Sequence, residues 1–161
     1  MQKVVVYTNK DGSVSIMTPA DPGAKALQAV IGRDLPADVD YRVTSVENIP
    51  TSRTFRAAWT DTDPTETVDI DLPRAKEIWR ERIRYCREPA LAALDIEFAR
   101  ASEVVAFGDA ETDSFMEARH VAQNVVARKK VLRDAPSDPR IDKAKTVDEL
   151  VKVWPEGLDR P

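Results

Sequence analysis

The chain has 161 residues, 42% of them hydrophobic and 32% charged, which is enough to bury a core without staples. Its 24 basic and 28 acidic side chains leave a net charge of −4, which is not the footprint of a nucleic-acid binder. One cysteine, Cys86, and one histidine, His120, exclude a disulfide framework, a Cys-rich zinc site and most histidine chemistry. No run approaches the ~20 apolar residues of a membrane span, and the start lacks the pattern of a signal peptide. A soluble, intracellular, non-enzymatic protein is expected.

In chain order, Lys3 to Tyr7 reads as a strand centred on Val4, Val5 and Val6. Asn9-Lys10-Asp11-Gly12 is a turn, because Asn and Gly tolerate positive φ. Val14 and Ile16 then alternate with serines, so residues 3–18 are predicted to form a β-hairpin ended by Pro19 and Pro22. Ala26, Leu27, Val30 and Ile31 mark a short amphipathic helix that Gly32 should terminate. Tyr41, Val43 and Val46 suggest a third strand over 40–46. Thr51 or Ser52 is placed to cap a short helix holding Phe55, Ala58 and Trp59. After a loop over 61–67, Val68, Ile70 and Leu72 alternate with aspartates as a fourth short strand.

From Pro73 the period changes to 3.6. Ala75, Ile78, Trp79, Ile83 and Cys86 form a stripe, Pro89 should interrupt or kink it, and it resumes as Leu91, Leu94, Phe98, Ala101 and Val105. Gly108-Asp109 is a break, and Asp109 or Thr112 caps a second helix carrying Phe115, Ala118, Val121, Ala122, Val125 and Leu132. The two helices should pack antiparallel. Residues 135–139 read as a loop, and Thr146 with Glu149 as a capping box that opens a last helix at Leu150 and Val151, stopped by Pro155. The fold class is therefore α+β. A module over 1–72 precedes a helical hairpin with a short C-terminal helix over 73–155, and a tail over 156–161 has nothing to hold it. Charge divides at the same place: −4 over residues 1–73 and zero over 74–161.

Little here carries reaction chemistry. Asp61, Asp63, Glu66, Asp69 and Asp71 are an acidic cluster that a metal-dependent enzyme would use, but the spacing matches no EF-hand, and the cluster reads as a solvated strand face beside a polar loop. Arg80, Arg82, Arg84 and Arg87 interleave with Glu77, Glu81 and Glu88, the pattern of a salt-bridged helix surface. Arg128, Lys129, Lys130 and Arg133 are one-signed and suit an acidic partner, although a helix C-terminus favours cations anyway. Trp59, Trp79 and Trp154 are the heaviest apolar anchors. Trp79 and Trp154, with Arg128, Lys129 and Lys130, are the candidate partner-binding residues, because tryptophan is enriched at interface hot spots. No catalytic residue, cofactor site or metal site is expected, and a generic protein-binding module is the simplest alternative.

The segments "IPTSRTFRAAW" (49–59), "VDIDLPRAKEIWRERIRYCREPALAALD" (68–95) and "RKKVLRDAPSDPRIDKAKTVDELVKVWP" (128–155) follow in an order that resembles small bacteriophage proteins encoded among tail genes, of the tail-fibre assembly or tail assembly chaperone type. The resemblance rests on a helix ending in Leu132-Arg133-Asp134 with Pro136, and on Trp154-Pro155 near the end. It implies binding to phage tail or tail-fibre proteins, as virion adaptor or assembly factor, with self-association as a homo-oligomer open. It also implies residence in the host cytoplasm during assembly, then in the tail if the protein is retained. It implies no catalytic residue, and no nucleic-acid or membrane partner.

Overall fold

A computed structural model describes residues 1–62 and 67–160. The architecture is α+β. The chain divides into two compact units, Met1–Ala75 and Lys76–Pro161.

In the first unit, β1 (Lys3–Thr8), β2 (Val14–Met17) and β3 (Tyr41–Ser45) form an antiparallel sheet of order β2-β1-β3. Gly12, at φ 81°, closes the β1–β2 turn in the left-handed region, and the Asn9 amide N–H donates to Ser13 at 2.8 Å. Val4, Val5 and Val6 are all fully buried although adjacent, so both faces of β1 are covered. Val4, Val6 and Val14 share one face with Ile49, Trp59 and Val68. Val5 points to the other face, and α1 (Ala24–Asp34), which packs on β1, accounts for its burial.

Helix α1 does not stop at Gly32. It ends at Leu35, whose extended backbone (ψ 127°) is what a residue before proline adopts, here before Pro36. The helix expected after Thr51 is one 3-10 turn, Arg56–Ala58, without a side-chain cap. Trp59 leaves that turn as β4 (Trp59–Thr60), paired antiparallel with β5 (Asp69–Ile70), so the predicted fourth strand is shorter than Val68–Leu72. Leu72 already belongs to α2 (Leu72–Phe107), whose start is held by the Asp71 carboxylate accepting from the Arg74 N–H at 3.1 Å.

In the second unit, α2 continues through Pro89, so of the expected interruption or kink the interruption does not occur. Pro89 and Tyr85, whose carbonyl loses its helical partner, are both exposed. Helix α3 (Asp113–Asp134) begins at the predicted Thr112 cap, whose side-chain oxygen accepts from the Phe115 N–H. Leu94, Val125 and Leu132 are buried between α2 and α3, with Leu91, Phe98 and Val121 packed around them; Ile83 is buried, while Ile78 is only half-buried. Arg87 of α2 donates to the carbonyls of Leu132 and Arg133, capping the C-terminus of α3 from the neighbouring helix.

The stretch read as a loop instead contains a 3-10 turn (Ala135–Ser137) and a short helix α4 (Pro139–Lys143). Asp138 caps α4, accepting from the Arg140 N–H at 2.8 Å, and Pro139 occupies the first helical position. The Arg140 guanidinium, which hydrogen-bonds the Asp138 carboxylate, holds that carboxyl below the usual range, with the Arg140 backbone N–H adding to the effect. Asp138→Ala is expected to cost about 1 kcal/mol at neutral pH. Because the folded-state pKa is depressed, the contribution is full above the ordinary carboxylate pKa and is lost as pH falls through the depressed one. Urea midpoints of the two proteins should therefore differ at neutral pH and converge in strong acid.

Half of the expected capping box of α5 (Val147–Leu150) is present: the Glu149 N–H donates to Thr146 at 3.2 Å, whereas the Glu149 carboxylate accepts from the N–H of Lys145, one residue before the cap, at 2.7 Å. The segment after Pro155 is not loose as far as Arg160. Trp154 Nε1 donates to the Leu158 carbonyl at 2.8 Å, Arg160 donates to the Val151 carbonyl at 2.8 Å, and Leu158 packs on the Leu94 cluster.

Candidate protein-interaction surface

The residues that sequence reasoning singled out mostly have intramolecular partners. Trp79 lies on the inner face of α2 and is 5% exposed. Its Nε1 donates to the Val153 carbonyl at 2.8 Å, and its ring meets that of Trp154 edge-on at 5.2 Å. Trp154 is half-buried, with the Arg160 guanidinium 5.9 Å from its ring. The pair fastens the C-terminal segment to α2. Arg128 donates to Glu97 at 3.2 Å, and Lys129 pairs with Asp95 while its ammonium lies 5.4 Å from the Phe98 ring. Both cations thus bridge α3 to α2. Lys130 is exposed and remains open to a partner.

The acidic cluster is likewise engaged in the fold. Asp61 receives both Nε and Nη2 of Arg42, at 3.0 and 2.6 Å. Asp69 lies in β5, and Asp71 caps α2. Asp63 and Glu66 lie outside the described residues. Among the described residues, no three potential metal-ligating side chains converge. Cys86 is half-buried on α2, and His120 is exposed on α3.

Part of what the fold leaves uncovered is apolar and lies toward the α2–α3 connection. Ile96, Val104 and Phe107 of α2 are 56%, 39% and 90% exposed. Ile96 and Val104 flank a groove floored by Ala101, Ala118 and Val121. On the opposite flank of the hairpin, Phe98, Val105, Ala122 and Val126 line a second, mainly apolar groove. A two-helix layer has two flanks, and these side chains are too small or too few to close either. Exposed patches of this kind mark interaction sites. Sequence reasoning missed them because it followed a single apolar stripe. The sign was present: beyond Leu94, α2 carries apolar residues off that stripe, at Ile96, Val104 and Phe107.

No helix among the described residues is long and apolar enough to cross a membrane. No protein-family model matches the chain, and no curated protein or solved structure matches it either.

Proposed function

We propose that this protein is a non-enzymatic bacteriophage tail protein that binds other tail or tail-fibre proteins, as a virion adaptor or as an assembly factor. The observation that carries the binding role is the helical hairpin with apolar side chains exposed on both flanks, Phe107 most of all. The phage setting rests on the resemblance over residues 49–155. The groove of Phe98, Val105, Ala122 and Val126 suits an amphipathic helix of a tail protein, laid in by its apolar face. Exposed Lys130 and Arg133, farther along α3, would favour a partner with an acidic end.

Co-expression with the products of neighbouring tail genes tests this reading. A tail or fibre protein should co-purify with the wild-type chain, and Val126→Glu should abolish that capture. Deletion of the gene should leave particles with missing or misassembled fibres. Fixed copy number in purified particles supports the adaptor, whereas absence from particles supports the assembly factor. Normal, infectious particles after deletion, with no tail protein captured, would refute both.

A further inference from the structure

The exposed face of α2 is self-complementary. Ala93, Ile96, Arg100, Val104 and Phe107 recur at steps of three and four and so line one side of the helix. All five are exposed. The pattern is also symmetric in kind about Arg100. Three residues away on either side stand Glu97 and Glu103, and four away stand the branched apolar residues Ile96 and Val104. Seven away stand the small Ala93 and the large Phe107.

Laid antiparallel on a copy of itself, such a face meets its complement at each apolar position. Ile96 falls against Val104 of the second copy. Phe107 falls over Ala93, large on small. Arg100, near the two-fold axis, falls beside Glu103 of the second copy and beside its Glu97, which also holds Arg128 of its own chain, so each arginine meets at least one carboxylate across the axis. A parallel copy would instead set Phe107 against Phe107 and each charge against its like. The neighbouring helix leaves room, because α3 borders this face with Ala118 and Val121, small or flat enough to admit a ridge from another helix.

We propose that a second copy of this chain docks here, α2 against α2 in antiparallel register, so that two hairpins close into a four-helix bundle. The proposal deepens the binding role above by naming the partner for one flank. The opposite flank, with Phe98 and Val126, stays free for a tail protein.

Sedimentation of the full chain at roughly 100 μM, well above a dissociation constant in the micromolar range, tests the association. A dimer is expected. Phe107→Glu, at a side chain whose exposure makes it dispensable for folding, should weaken it by roughly tenfold or more. Arg100→Glu should weaken it likewise, and adding Glu103→Arg to that variant, which leaves the Glu97–Arg128 pair intact, should restore part of it. The register is read by oxidation: in a Cys86→Ser background, Arg100→Cys should cross-link to itself, and a mixture of Ala93→Cys and Phe107→Cys should form the mixed disulfide. A monomer at this concentration would overturn the proposal, even one that still captures a tail protein through Val126. A dimer indifferent to Phe107→Glu and Arg100→Glu would overturn it too. A dimer that behaves as described but captures no tail protein would uphold it and count against the phage role alone.

Discussion

Trp79→Ala is expected to destabilise the helical unit by about 3–5 kcal/mol, a large share of the stability of a small domain. Two losses combine. The buried indole leaves a cavity beside Trp154, whose ring it meets at 5.2 Å. The Val153 carbonyl, which accepts from Nε1 at 2.8 Å, loses its donor in a buried setting. Trp79→Phe separates the two. It restores most of the volume but not the donor, and should still cost about 1–3 kcal/mol. Urea unfolding followed by circular dichroism gives both numbers. If Trp79→Ala shifts the midpoint no more than a surface substitution does, the lock between α2 and the C-terminal segment does not exist as described.

That lock shows where sequence reasoning reaches its limit. Residue type alone made Trp79 and Trp154 candidate anchors for a partner, since tryptophan serves equally in cores and in hot spots. Their actual partners are backbone carbonyls at Val153 and Leu158, the first 74 residues from Trp79 along the chain. No local pattern encodes such a pairing. What local physics does encode was readable: the alternation of β1 and β2 around Gly12, the Thr112 and Thr146 caps, and the change of period near Pro73. Boundaries failed where a second local rule competed. Gly32 suggested a stop, yet Pro36 sets it three residues later. Pro89 suggested a break, yet packing on either side of it holds the helix. Asp138-Pro139 was a legible start for α4, hidden because the same dipeptide also marks loops. The exposed face of α2 was legible too, but only after the buried face had been placed, since both are apolar.

The second large effect belongs to the sheet unit. Trp59 is 1% exposed and sits with Val4, Val6, Val14, Ile49 and Val68 in the apolar layer on one face of the sheet. Trp59→Ala is expected to cost about 3–5 kcal/mol. Trp59→Phe should behave unlike Trp79→Phe. Among the described residues, Trp59 Nε1 is a buried donor with no hydrogen-bond partner, a group that is costly to bury. Phenylalanine removes that donor along with part of the ring. The lost burial is offset by the lost penalty, and the net change should stay below about 1.5 kcal/mol. The Arg53 guanidinium, 5.5 Å from the Trp59 ring, retains an aromatic face in the variant, although a weaker one. In the comparison of the two Trp→Phe variants by urea unfolding, a larger loss is therefore expected at Trp79, where a hydrogen bond is lost, than at Trp59, where an unpaired donor is removed. Equal losses at both positions would mean that the Trp59 indole finds an acceptor after all. A larger loss at Trp59 would mean that ring volume, not donor satisfaction, decides how each unit tolerates the change.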